Sequence, residues 1–313
     1  MDLTDLAKNF STEEAAIKFL ESKLWPDGPV CPKCGLVKEA YEMRSKEDSK
    51  NKMRPGLWKC SSCRKTFRVT VNTIFEDSHI PLHKWMMAIH LMCASKKGMS
   101  AHQMHRMLGL GYRAAWFMCH RIRYAMNAGG TIAPKLSGTV EADETYVGGK
   151  TRGLGCYVAR QRKAPVVTLV ERGGRARSFY VPEVSGKNLK PIVKEFIEQG
   201  ASLMTDDTSL YSQMRDHFGS HDVVKHSLGE YSRREGAKIV HTNTVEGYFS
   251  ILKRGVMGTF HHVSKQHLGR YLDEFDFRYN ARDTTDGERA ELAIAGVKGK
   301  RLMYRDSRGS VES

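Results

Sequence analysis

No stretch of this 313-residue chain stays apolar for long enough to cross a bilayer as a helix. The most hydrophobic segment, Trp85 to Ala94, falls well short of the ~20 residues that a spanning helix requires, so no membrane partner is expected. The opening MDLTDLAKNFSTEEAA is acidic and lacks an apolar run, which argues against a secretory signal and leads to the expectation of a cytoplasmic location. Stable disulfides are disfavoured in that compartment. Acidic residues are scarce in one region only: residues 51–135 hold two Asp+Glu against 14 Lys+Arg, whereas residues 1–50 hold ten against eight and residues 136–313 hold 23 against 28. Most of the net charge of +15 therefore sits in about a quarter of the chain. A basic surface that only keeps a protein soluble would not need that concentration; a polyanionic partner, most simply nucleic acid, would use it.

What is present begins with cysteine. Four of the seven form two tight pairs, Cys31-Pro-Lys-Cys34 and Cys60-Ser-Ser-Cys63, separated by 25 residues. This is the pattern of two zinc knuckles, in which four thiolates close a tetrahedral structural site for one Zn²⁺. A redox or disulfide pair is the rival reading. Cys93, Cys119 and Cys156 lie among apolar neighbours and read as ordinary buried thiols. After the second knuckle, CRKTFRVTVNTIF alternates Phe67, Val69 and Val71 with Thr66, Arg68 and Thr70, as a half-buried strand does, and Arg64, Lys65 and Arg68 would decorate the small module for a DNA backbone.

In GMSAHQMHRMLGLGYRAAWFMCHRIRYAM, Ser100 and Gln103 have capping-box spacing, and Gly109 and Gly111 interrupt the helix they open. A second helix then places Ala115, Met118, Ile122 and Met126 inside and leaves Arg113, Arg121 and Arg123 outside. Two short helices across a glycine turn resemble a helix-turn-helix, which makes these arginines candidate DNA contacts.

From Leu136 the pattern changes to strands: SGTVEADETYVGGK, APVVTLVERGG and RARSFYVPEVSG, followed by the amphipathic helix GKNLKPIVKEFIEQG. A buried strand over Ser202 to Thr205 then ends on Asp206 and passes into another helix, and a short strand HDVVKHS and a long helix complete an α/β layer of mixed strand directions. In HTNTVEGYFSILKRG, Val245, Tyr248, Phe249, Leu252 and Val256 form one apolar stripe, and Glu246, Ser250 and Lys253 share another face. Asp143, Asp206 and Glu246 thus come from three separate elements, at the positions where a ribonuclease H-like fold gathers metal ligands. Clustered carboxylates repel each other unless cations neutralise them, so such a cluster implies bound Mg²⁺, or Mn²⁺.

Together, CPKCG, CSSCRKTF, VEADETYVGGK, LMTDDTSLY and HTNTVEGYFSILKRGVMGTFHHVSKQHLGRYLDEFDFRYNAR resemble the DDE transposases of bacterial insertion sequences, in the group with an N-terminal zinc ribbon ahead of a ribonuclease H-like catalytic domain. The resemblance runs from about Phe19 to Arg282. It implies a catalytic triad of Asp143, Asp206 and Glu246 holding two metal ions, with Lys253 and its neighbour Arg254 on the DNA. Adjacent strand residues point to opposite faces, so Glu144 and Asp207 are not expected to share the ligand role, and the family motif favours Asp143 and Asp206. His226, His241 and Asn243 are candidates to shape the site, and Arg278, Tyr279 and Asn280 to brace the fold.

The expected organisation is an N-terminal helical segment (1–28), a zinc ribbon (29–75), a helix-turn-helix-like region (76–130), a ribonuclease H-like domain (136–285) and a polar tail (286–313). The resemblance implies a nucleoid-associated DNA transposase that binds terminal inverted repeats and target duplex DNA, acting as a homodimer or higher oligomer. A nuclease or junction resolvase of the same fold, and an idle transposase-derived regulator, are the alternatives.

Overall fold

The structure, a computed structural model, describes residues 10–45, 53–127, 134–149, 163–211, 214–236 and 238–306, together with Thr4 and Lys8. It divides into two compact units. The first comprises residues 1–126 and 284–309, and the second residues 127–283 with 310–313.

The first unit opens with α1 (Glu13–Leu24), whose N-terminus is capped by Thr12 accepting from the Ala15 N–H and carries Glu13 and Glu14 in its first turn. A three-stranded antiparallel ribbon follows: β1 (Ala40–Glu42), β2 (Trp58–Cys60) and β3 (Thr66–Phe67). The strand expected through Val71 stops at Phe67, because a turn in which the Val71 N–H donates to the Arg68 carbonyl at 3.1 Å reverses the chain. Trp25 packs edge-on against Trp58 and Phe67 beneath the cysteines, and the Trp58 indole donates to Glu21 at 2.7 Å.

Three helices complete this part of the unit: α2 (Leu82–Ala94), α3 (Ala101–Leu108) and α4 (Tyr112–Met126). Ser100 caps α3 by accepting from the Gln103 N–H, and Gly109 ends it in the left-handed conformation, φ 59°. The apolar residues of α4 face inward as expected. Arg121 and Arg123 do not face outward: they are 6% and 1% exposed. The Arg121 guanidinium stacks on Phe117 and donates to the carbonyls of Ile74 and Glu76 at 2.8 Å and of Leu302 at 3.0 Å, so its charge caps backbone and is closed to DNA. Arg113 is exposed.

The second unit is built on a five-stranded mixed sheet: β4 (Thr139–Val147), β5 (Ala164–Glu171), β6 (Ala176–Tyr180), β7 (Ser202–Asp206) and β8 (Ser220–Val224), in the order β6-β5-β4-β7-β8. The first three strands run antiparallel, and β7 and β8 run parallel to β4, which is the ribonuclease H-like arrangement. Helix α5 (Gly186–Phe196) covers one face through Leu189, Val193 and Phe196. A hairpin of β9 (Ser232–Glu235) and β10 (Lys238–His241) leads into α6 (Asn243–Gly255), and α7 (Lys265–Asn280) follows. These two helices cover the other face, where the whole stripe Val245, Tyr248, Phe249, Leu252 and Val256 is buried against Val166 and Val170. Each such side chain contributes roughly 1.5–3 kcal/mol of burial. Tyr248 on α6 and Ser178 on β6 both donate to Asp276 of α7, and the Asn280 side chain bonds the Ala176 N–H and C=O at 2.7 and 3.0 Å, closing the sheet's edge. After β7 the described residues contain only a 3₁₀ turn, Ser209–Tyr211, where a helix was expected.

The chain then returns to the first unit as α8 (Asp286–Ala295), begun by a capping box between Thr285 and Glu288. This segment was expected to be a tail. Arg289 donates to the Cys93 carbonyl at 2.9 Å, Lys300 to that of Ala125 at 3.0 Å, and Leu302 is buried. Gly296 lies so close to α4 that an added Cβ would stand 2.5 Å from the Ala125 oxygen. Among the described residues no helix is long and apolar enough to cross a membrane. Cys93 and Cys119 are buried; Cys156 lies outside the described residues.

Candidate active site and metal centre

In the first unit, the Sγ atoms of Cys31, Cys34, Cys60 and Cys63 all lie within 4.8 Å of one another. The Cys31–Cys63 pair is separated by 3.6 Å and the Cys34–Cys60 pair by 3.7 Å. Four thiolates about 2.3 Å from a tetrahedral zinc would be roughly 3.8 Å apart, so the donor set fits a structural Zn²⁺ with no open position. The two knuckles repeat one backbone device: the Gly35 N–H bonds the Cys31 carbonyl at 2.9 Å and the Arg64 N–H that of Cys60 at 3.1 Å. Both residues are left-handed, φ 78° and 59°, so Arg64 adopts unaided the conformation that glycine provides in the first knuckle. Arg64 and Lys65 are exposed and Arg68 is half-buried.

In the second unit, strand alternation sends Glu141, Asp143, Thr145 and Val147 to the α6 side of β4, and Val140, Ala142 and Glu144 to the α5 side. Asp206 ends the neighbouring parallel strand, where its carboxylate accepts from the Thr208 N–H and hydroxyl at 3.1 and 2.6 Å. Glu246 stands in the first turn of α6, half exposed, with the Thr242 hydroxyl 3.4 Å and His226 Nε2 3.6 Å from its Oε1. The charges of Asp206 and Glu246 both bear on Asp143, although among the described residues only the four thiolates bring three or more Cys, His, Asp or Glu ligand atoms within 4.8 Å of one another. Burial pushes the Asp143 carboxyl up to about 7, and the nearby charges of Glu144, Asp206 and Glu246 push in the same direction.

The neighbouring acids have other occupations. Glu144 accepts from the buried Tyr211 hydroxyl at 3.0 Å, and Asp207 accepts from the amide and hydroxyl of Ser227. Lys253, two turns beyond Glu246, is exposed with its ammonium 5.9 Å from the Phe249 ring, and Arg254 donates to the Ser250 carbonyl at 3.1 Å. His241 and Asn243 flank the start of α6, the Asn243 N–H donating to His241 Nδ1 at 3.2 Å.

Two neighbouring family models match this chain, one over residues 11–66 as a transposase zinc-ribbon domain and one over residues 135–280 as an ISXO2-like transposase domain. The chain carries the zinc-ribbon and ISXO2-like domains found in insertion-sequence transposases. A protein described as an uncharacterized protein in transposable element ISH50 of Halobacterium salinarum is 26% identical over 295 residues, which cover 87% of this chain and 92% of the relative. All four cysteines fall within the ribbon match, and Asp143, Asp206, Glu246 and Lys253 within the transposase domain. The returning segment 284–309 lies beyond both matches.

Glu141 is a functional residue that sequence reasoning missed. This carboxylate is 0% exposed, and it accepts from the N–H groups of Thr244 and Val245 at 2.8 and 3.0 Å, from the Thr244 hydroxyl at 2.8 Å and from Arg172 Nε at 2.6 Å. His241 Nδ1 lies 3.1 Å away. Glu141 therefore fastens the N-terminus of the helix that carries Glu246 to the strand that carries Asp143. Its spacing of two from Asp143 was the available signal, since it assigns both acids to one face.

Proposed function

We propose that this chain cuts DNA at the ends of a mobile element and joins the freed ends to target DNA, using Asp143, Asp206 and Glu246 to hold two divalent cations. What supports the reading is the match of residues 135–280 to a transposase domain, together with the placement of Asp143 on β4, Asp206 at the end of the adjacent β7 and Glu246 in the first turn of α6. Such a site favours occupation by hard cations with oxygen ligands, and the donor set fits Mg²⁺. When bound, a pair of magnesium ions supplies activation of a water or a 3′-hydroxyl and stabilisation of the leaving oxygen in phosphodiester chemistry.

The remaining steps fall to the protein. Asp143 and Asp206, on adjacent parallel strands, form a rigid floor, and Glu246 closes the site from the helix above. Lys253 lies about 10 Å along α6 from Glu246, at 1.5 Å per residue, where it would bind a phosphate of the same strand. Arg254 would extend that contact, while Arg64, Lys65, Arg68 and Arg113 would bind duplex DNA in the first unit. The four thiolates hold zinc for structure alone. Pairing two ends before joining calls for a homodimer or higher homo-oligomer on DNA.

The test is a linear duplex carrying the element's ends, incubated with purified protein, a target plasmid and Mg²⁺, with Asp206→Asn as the control. Joined products from the wild type and none from Asp206→Asn are expected. Nicks without joining would instead identify a nuclease, and binding without either product an idle regulator.

A further inference from the structure

Leu228 and Tyr231 are the most exposed large hydrophobic side chains among the described residues, at 77% and 70%. They are three residues apart on the connection from β8 to β9, and that connection is fastened to the carboxylate cluster. His226, which opens the 3₁₀ turn His226–Leu228, puts Nε2 3.1 Å from the Thr242 hydroxyl and 3.6 Å from Glu246. Ser227 donates to Asp207, the residue after Asp206. Gly229, at φ 75°, ends the turn, and the Tyr231 ring follows 5.8 Å from that of His226. On the far side, Arg172 grips the carbonyls of Ile239 and His241 in β10 while donating to Glu141, which holds the hairpin against the same helix start. Lys225 and Arg234 are exposed on the two sides of the pair and form no ion pair among the described residues.

The combination narrows the occupant. Two isolated apolar groups make too small an area for a stable protein partner, which needs roughly 800 Å² on each side. They stand beside a site that must receive a phosphodiester, between cations suited to its backbone. A base has an apolar face that an aromatic ring can stack on, and it becomes available only once unpaired.

We propose that Leu228 and Tyr231 form a wedge for an unpaired base next to the phosphodiester bound at Asp143, Asp206 and Glu246, Tyr231 stacking on the base and Leu228 entering the space it leaves. This rests on the DNA-cutting reading of the site. Lys225 and Arg234 hold the flanking phosphates, and the tethers through His226, Ser227 and Arg172 fix the wedge relative to the scissile bond.

The experiment uses the full-length protein on duplex element ends with thymines placed around the cleavage position, probed with permanganate in Ca²⁺ to report unpairing without cutting. Leu228→Ser and Tyr231→Ser, both surface changes that preserve folding, are compared with wild type in that assay and for cleavage in Mg²⁺. Wild type should make one thymine beside the cut reactive. The double variant should lose that reactivity and cut paired DNA about ten- to a hundredfold more slowly, the order expected when extrusion of a base is left unassisted. A mismatch at that position should return its rate to near that of wild type. Unchanged cleavage by the variant, no rescue by the mismatch, or a changed oligomeric state on DNA would each overturn the wedge. Wild-type unpairing without any cutting would instead overturn the DNA-cutting reading and leave the wedge standing.

Discussion

Glu141 and Thr244 are bonded twice, the carboxylate accepting both the backbone N–H and the hydroxyl of Thr244 at 2.8 Å. The pair couples a central strand to the first turn of α6, and Glu246 lies two residues further on. Glu141→Ala should cost about 3–5 kcal/mol, because it leaves Arg172 and two helix N–H groups without their buried acceptor. Glu141→Gln should cost less and keep the fold, yet still weaken Mg²⁺-dependent joining, since the amide cannot accept from all the donors. Thermal unfolding and joining rates measured together would check this; full joining activity in Glu141→Gln would remove its positioning role.

At Asp143 the expected effect on stability has the opposite sign. Its folded carboxyl is raised to about 7, so in the metal-free protein ionisation is opposed and stability falls as pH rises from about 4 through 7. Asp143→Asn should therefore raise the metal-free melting temperature near neutral pH while abolishing joining. Mg²⁺ should stabilise the wild type and have little effect on the variant. Calorimetry with and without Mg²⁺ reads both, and a destabilised Asp143→Asn would mean that the three acids do not repel.

For the ribbon, metal analysis should give one zinc per chain, released together with four titratable thiols by a chelator. Cys31→Ser should lose that zinc and loosen the segment around Trp25, Trp58 and Phe67, visible as a red shift of tryptophan emission. Retained zinc in this variant would exclude the four-thiolate site.

Arg113 and Arg121 should separate cleanly despite their shared helix. Arg121→Ala leaves the carbonyls of Ile74, Glu76 and Leu302 without this donor, two of them in buried bonds, and should lower stability by about 3 kcal/mol. Arg113→Ala should leave stability within about 0.5 kcal/mol and, as a DNA contact, reduce the salt slope of binding by about one. Equal melting temperatures for the two variants would contradict the burial difference.

The contrast between these arginines also shows what the sequence could and could not disclose. The cysteine knuckles, the β4 alternation and the α6 stripe are local patterns, and local periodicity is enough to read them. The carbonyls that hold Arg121 inside lie 45 to 181 residues away, in Glu76, Ile74 and Leu302, so no helical wheel could have assigned it to the interior. The β9–β10 hairpin escaped notice because its strands are largely exposed and carry Ser232, Arg233, Arg234 and Glu235 where an alternating apolar face would signal a strand. Glu141 was hidden by its own type: a glutamate in a strand reads as a surface residue until the helix end that it caps is seen. The candidate site was more legible than its supports, since the three candidate acids lie on recognisable elements while their fastenings cross between distant ones.

The closing of the first unit by residues 284–306 has a consequence for synthesis. During translation Arg121 emerges 181 residues before the Leu302 carbonyl that it bonds, an interval on the order of ten to forty seconds at 5–20 residues per second. Until then α4 has no cover from α8, and the nascent N-terminal half is an unfinished core awaiting its last piece. A chain ended before residue 284 would carry the zinc knuckles but lack the helix that packs on α2 and α4 of the same unit.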